Sequence, residues 1–211
     1  MLGDRSTRFC TAQKLYQAAR HAVIQMGYER EIAWQESLDS GSFSECDLLR
    51  ESAWVILCSG FREAIVRRRF SYLSTCFLEW ESSEAICKFR AHCRTAALSK
   101  FSSPRKIDAI IKTAEIVNLR GFNALKHEIL ARPIETLQVF PFIGGITAYH
   151  LAKNIGISVA KPDRYLQRIA RFTGYNDVQI LCGELAQQSG DSIQVVDSVL
   201  WRYCERLQSF H

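Results

Sequence analysis

The sequence predicts an all-α protein, and three observations carry that expectation. Apolar residues recur at helical spacing through most of the chain, no stretch alternates with a period of two for long enough to suggest a sheet, and glycines and polar turns punctuate the helical runs. Composition sets the class: 211 residues, 47% apolar and 23% charged, describe a globular chain long enough to bury a core, as one domain or two small ones. Internal repeats, heptad runs and low-complexity segments are not found.

Taken in order, residues 11–26 carry Leu15, Ala18, Ala19, Ala22, Val23 and Met26 at amphipathic spacing, with Gly27 as the stop. Residues 29–38 suit a short helix or an extended arm, and Asp39-Ser40-Gly41-Ser42-Phe43-Ser44 is a turn-rich break that marks a boundary. Residues 47–69 read as two helices joined at Ser59-Gly60, the first holding the apolar run 53–58. Residues 71–80 follow as a helix with Leu73, Phe77 and Leu78 inward. Ser82-Ser83-Glu84 then caps a helix over 85–98 with Ile86, Phe89, Cys93 and Ala97 on one face. After Ser102-Ser103-Pro104, residues 106–119 are patterned by Ile107, Ile110, Ile111, Ala114, Ile116 and Val117 up to Gly121, and 122–130 form a shorter helix.

Pro133 and Glu135 suit the first turn of another short helix, and the turn Pro141 to Gly145 feeds a helix ending near Gly156. Glycines at 144 and 145 allow positive φ there, so that successive N–H groups and the positive helix end point outward as a phosphate-binding nest. Lys161-Pro162-Asp163 then precedes a helix through Tyr165, Leu166, Ile169 and Phe172, halted at Gly174. Residues 178–187, a Ser189-Gly190-Asp191 turn and a last helix bearing Val195, Val196, Val199, Leu200, Tyr203 and Leu207 close the chain.

Charge and cysteine usage narrow the partners. Lys and Arg outnumber Asp and Glu by 27 to 22, a net charge of +5, but residues 61–106 hold ten Lys/Arg against four Glu, so the surplus is concentrated there. Such a surplus favours a polyanionic partner, with a solvated helix face as the ordinary alternative. Arg67, Arg68 and Arg69 are consecutive, so at most two of them face one phosphate. The first ten residues lack the apolar stretch of a secretory signal, and no segment approaches membrane-spanning length, so no membrane partner is expected. The eight cysteines, at 10, 46, 58, 76, 87, 93, 182 and 204, contain no Cys-x-x-Cys pair. Their spacing predicts neither a metal site nor a disulfide framework but reduced, mostly buried thiols in a cytoplasmic setting, or a nuclear one for a eukaryotic source.

The stretch 140–170 carries a resemblance. Phe140-Pro141, Ile143-Gly144 and Thr147-Ala148, with Asp163 downstream, resemble the helix-hairpin-helix DNA glycosylases, whose hairpin is followed by an essential aspartate. The strongest match covers about thirty residues, and weaker helical similarity runs from roughly residue 45 to the end. The resemblance implies two helical subdomains with a cleft between them: a middle domain over 45–158 containing the hairpin (about 133–156), and a second built from 1–44 plus 159–211, with Asp163 at the mouth of the cleft. It implies double-stranded DNA as partner, cofactor-free chemistry, and excision of a damaged or modified base. A C-terminal iron–sulfur cluster, which some members carry on four close cysteines, is not expected where only Cys182 and Cys204 are available.

Residue by residue, Asp163 is the candidate catalytic acid, since a carboxylate beside the anomeric carbon stabilises an oxocarbenium-like state or orients water. The ordinary role of an Asp after Pro is an N-cap, and one side chain can do both. Gly144, Gly145, Ile146 and Thr147 are assigned to the DNA backbone, with Lys153, Lys161 and Arg62 as further phosphate contacts whose binding would weaken with salt. Arg168 suits the helix after the acid, and His150 reads as structural or phosphate-facing. Trp54, Phe61, Glu63, Tyr149 and Tyr165 are candidates for a base pocket; the aromatics suit a core equally well, and Glu63 suits an ion pair on its helix.

Two departures qualify the resemblance. Ile146 stands where bifunctional members carry a Schiff-base lysine, which points to a monofunctional enzyme and, through the alkyl-base branch that also lacks the lysine, to alkylated or otherwise modified bases. Phe142 replaces the first hairpin glycine, so either positive φ is not needed there or the hairpin is altered. The alternatives are a helix-hairpin-helix DNA-binding protein without catalysis and a plain helical interaction protein.

Overall fold

The computed structural model describes residues 2–39 and 41–207, with side chains over 7–39 and 41–206. Ser40 of the turn-rich break and the side chain of Leu207 lie outside the described residues. Among the described residues every regular element is helical. Helices α1 (Leu2–Gln25) and α2 (Glu29–Glu36) open the chain. Then come α3 (Glu45–Cys58), α4 (Glu63–Cys76), α5 (Ser83–Lys88), α6 (Arg90–Leu98), α7 (Pro104–Arg120), α8 (Phe122–Ala131), α9 (Pro133–Leu137) and α10 (Gly145–Asn154). The chain closes with α11 (Arg164–Phe172), α12 (Val178–Ser189) and α13 (Ile193–Leu207). No helix among the described residues is long and apolar enough to cross a membrane.

The chain divides into two compact units, Met1–Asp39 with Gly156–His211, and Ser40–Ile155. These divisions fall a few residues ahead of the 44/45 and 158/159 boundaries read from the sequence. In the first unit, Ala12, Tyr16, Ala19 and Val23 of α1 join Val195, Val196, Val199 and Leu200 of α13 in one core. The Tyr16 hydroxyl donates to Asp191 at 2.6 Å, and the Arg20 guanidinium forks onto the same carboxylate at 3.1 and 3.2 Å. Where the chain re-enters this unit, Gly156 has φ 87°, and a Cβ there would lie 2.7 Å from the Asp39 carbonyl oxygen. Only glycine fits that passage.

In the second unit α3 is started by a capping box, Ser44 with Asp47, and buries Leu48, Leu49, Val55, Ile56 and Leu57. It packs on α7, whose Ile107, Ile110, Ala114 and Val117 are buried. Glu51 of α3 is buried and accepts a 2.9 Å hydrogen bond from Asn154 Nδ2 of α10. This polar tie fixes α10 to the central helix.

Three helices depart from the sequence reading. α1 begins well before residue 11. α4 runs unbroken through Ser71 to Cys76, so 71–80 is not a separate helix. It ends in a left-handed turn, with φ 57°, 51° and 65° at Leu78, Glu79 and Trp80. Left-handed backbone disfavours these residue types by ~1 kcal/mol each. Burial of Trp80 against Phe77 and Phe70, with its Nε1 donating to Ser74 Oγ at 2.9 Å, offsets the strain. The run 85–98 is broken at Phe89, which is 48% exposed instead of inward, while Ile86, Cys93 and Ala97 are buried. All eight cysteines are free thiols; Cys76, Cys93, Cys182 and Cys204 are buried.

Candidate functional site

In the second unit, α9 and α10 are joined by residues 138–144, anchored from below by the buried side chains of Phe140 and Ile143. Between these anchors Phe142 is forced outward, 45% exposed, with φ 63°. The expectation of positive φ at the glycines is therefore corrected: Gly144 has φ −98° and ψ −172°, Gly145 is the first helical residue, and Phe142 takes the left-handed position. The turn needs one such residue, and Phe142 supplies it against its own preference.

Gly144 and Gly145 have another property. A Cβ on Gly145 would meet nothing within 4 Å, and one on Gly144 only the Thr147 hydroxyl at 4.0 Å, so glycine is not demanded from inside. Instead, its absence of a side chain leaves the start of α10 uncovered. The Gly144 N–H donates to Thr147 Oγ1 at 2.6 Å and is committed to the turn, which makes the nest smaller than expected. No side chain caps α10. The first-turn N–H groups of Gly145, Ile146 and Thr147 have no intrahelical acceptor and lie at the positive end of the helix.

Of the surface cations expected near this turn, Lys153 is buried, at 8% exposure, which takes it out of the set available to a phosphate. Arg62 is exposed at the start of α4, beside Phe61 at 39% exposure. Glu63 takes the ordinary role of an ion pair on its helix, bonded by Arg67, whose guanidinium lies over the Trp54 ring at 5.3 Å. Trp54 packs edge-on against Phe70 at 5.0 Å, and Tyr149 is half-buried on α10. The Phe61 ring packs against the buried Phe101 ring, with 5.1 Å between ring centres.

Also beside Phe61 is a residue the sequence reading missed. The Lys106 ammonium is buried and donates to the carbonyl oxygens of Ile56 and Ser59 at the end of α3. It lies 5.6 Å from the Phe61 ring centre and 4.9 Å from that of Phe142, so it joins the α3–α4 corner to the turn. Burial lowers its proton affinity. A signal existed in the sequence: a lysine three residues into a helix opened by Pro104 sits at the positive end of its own dipole, which is unfavourable unless another group claims it. The last carbonyls of α3 do so.

In the first unit Asp163 is the N-cap of α11. Its Oδ1 accepts from the N–H of Tyr165 at 2.9 Å and of Leu166 at 3.2 Å. Oδ2 lies 3.8 Å from the Lys161 ammonium, and the side chains are 13% and 23% exposed. The Lys161 N–H donates to the buried Asp197 carboxylate at 2.6 Å, bringing a second acid close. Burial raises the Asp163 pKa, Asp197 adds to the rise, and Lys161 with the two capping N–H groups opposes it. The nearby Cys204 thiol is pushed up to about 11, chiefly by burial and then by the Asp163 charge. Tyr165 is half-buried, with the Arg164 guanidinium 4.9 Å from its ring centre. The carboxylate is thus fixed through one oxygen, with the other turned toward a cation.

Compared with known proteins, the chain matches no family model, no curated protein by sequence and no solved structure by fold.

Proposed function

We propose that this chain is a monofunctional DNA N-glycosylase of the helix-hairpin-helix kind, hydrolysing the bond between a damaged or modified base and its deoxyribose in double-stranded DNA. The observation that carries the reading is Asp163: a mostly buried carboxylate, oriented by two backbone N–H groups through one oxygen, that follows the Gly144-Gly145 turn in sequence at the distance the resemblance expects. The uncapped start of α10 suits a backbone phosphate, held by the N–H groups of Gly145 and Ile146 without base information.

On this reading the C1′–N bond breaks with its electron pair leaving on the base, and positive charge develops on the sugar. The Asp163 carboxylate opposes that charge while water adds its hydroxyl to C1′, and the water's remaining proton ends on the departing base. Lys161 favours the ionised acid that this role requires. Ile146 offers no amine, so the abasic site is left uncleaved by Schiff-base chemistry.

A second reading, a DNA-binding protein of the same kind without catalysis, is favoured by one observation: Asp163 Oδ1 is already occupied in capping α11. Asparagine caps helices about as well as aspartate. Release of free base from modified duplexes, abolished by Asp163→Asn with DNA binding kept, supports excision; binding with no release from any modified duplex supports the second reading.

A further inference from the structure

Two open grooves in the second unit treat their cations differently. In the groove of about 360 Å³ lined by Arg90, Arg94, Asp108, Lys112 and Glu115, the cations have carboxylates: Arg94 forks onto Asp108 at 2.6 and 3.2 Å, and Lys112 and Arg90 reach Glu115 at 3.1 and 3.9 Å. The other groove, of about 480 Å³, is lined by Arg68, Arg69, Tyr72, Ser99, Lys100 and Ser102, with no acid among them. Arg68, Arg69 and Lys100 have no carboxylate partner among the described residues. The Arg69 guanidinium is instead held by the Lys100 carbonyl oxygen at 2.9 Å, which points it without neutralising it.

Three exposed cations gathered without an acid repel one another, and a polyanion laid along them relieves that repulsion. Tyr72 refines the identity of the polyanion. It is 43% exposed, its hydroxyl is fixed by a 3.2 Å hydrogen bond with Ser99, and the Lys100 ammonium stands 5.9 Å from its ring centre. A tethered aromatic among backbone-binding cations is a platform for an unpaired base. Phosphates taken by the three cations carry no base information and a stacked ring accepts any base, so sequence is not selected. We infer that this groove binds single-stranded nucleic acid without sequence preference, with its phosphates on Arg68, Arg69 and Lys100 and a base on Tyr72. The inference goes beyond the excision reading and needs no base to be released.

The test uses the full chain and unmodified oligonucleotides: a short fluorescent oligothymidylate and a mixed-sequence duplex of the same length, titrated by anisotropy across a salt series. Paired substitution Arg68→Ala with Lys100→Ala is expected to flatten the slope of log affinity against log salt for the single strand by about 1.4, roughly 0.7 per lost phosphate contact. Tyr72→Ala is expected to weaken the single strand about tenfold and leave the duplex unchanged. Arg94→Ala, in the neutralised groove, changes neither. Unchanged slopes in the paired variant overturn the site. Equal effects of Tyr72→Ala on both nucleic acids overturn the single-strand assignment, and so does transfer of the Arg68/Lys100 effect to anionic lipid vesicles with none on the oligonucleotide. Failure of base release leaves these readouts untouched, which keeps the two claims separable.

Discussion

Helices α10 and α11 begin close together in sequence and treat their positive ends in opposite ways. At α10 the N-cap is Gly144, which has no side chain to accept from the first-turn N–H groups, and the space a Cβ would fill at Gly145 is empty. At α11 the N-cap is Asp163, whose carboxylate occupies the position an external anion would take. The same helix-end geometry leaves first-turn N–H groups without a side-chain acceptor in one case and holds an internal carboxylate in the other. On the proposed excision reading, the first would receive a phosphate and the second would present a fixed negative charge.

The largest effect separating the two helix starts is expected at the acid. Asp163→Asn preserves the cap and removes the charge, so base release should fall by about 10²–10³-fold, the usual size of losing one preorganised electrostatic group, while the unfolding midpoint changes little. Release kinetics and thermal melts on the same preparation check both halves.

Next comes the support beneath the open site. Lys106→Met keeps the aliphatic stem but leaves the Ile56 and Ser59 carbonyls without their donor, and should cost about 2 kcal/mol in denaturant unfolding. Near wild-type stability in that variant would mean that water replaces the ammonium at the end of α3.

A smaller effect isolates the strained turn. Phe142→Ala and Phe142→Gly both remove the ring from Lys106, but only alanine keeps a Cβ at φ 63°, so the glycine variant should be the more stable of the two by about 1 kcal/mol. Equal stabilities would show that the turn relaxes once the ring is gone.

The smallest is a pH dependence. Because burial raises the Asp163 pKa in the folded protein, the fold binds that proton more tightly than the unfolded chain does. Its favourable contribution is present below the unfolded carboxylate pKa and is lost as pH rises through the folded value. Wild type should therefore lose stability relative to Asp163→Asn across that acidic window, and base release should decline on the acid side at a higher pH than an exposed aspartate would give. Parallel stability curves for the two proteins would remove burial as the dominant influence on this group.

Much of this architecture was legible because local signals and packing agree. Gly27, Gly121, Gly156, Gly174 and Gly190 stop helices in the sequence and have positive φ in the structure. The all-helical class follows from helical periodicity, the absence of period-two alternation and the turn residues between the runs. What escaped depended on side-chain packing that a local pattern does not reveal. The α5–α6 break at Phe89 and the left-handed turn before Glu81 accompany the burial of Ile86, Cys93 and Trp80 beside them. Phe142 reads as a disrupted hairpin position, yet its backbone adopts the conformation a glycine would. Lys106 looked like one more surface charge because its acceptors lie some fifty residues upstream. Lys153 looked surface-exposed because a helical pattern does not reveal which neighbours cover a flank. Asp163 was readable as cap or as acid, and the geometry gives it one oxygen for the cap and leaves the other beside Lys161.

The most direct measurement is liberated base, detected by mass spectrometry after incubation with duplexes carrying alkylated, deaminated, oxidised and hypermodified bases, with Asp163→Asn in parallel. The account predicts a free base from wild type that all but vanishes in the variant while duplex binding persists. Equal release from both proteins would contradict the role given to Asp163.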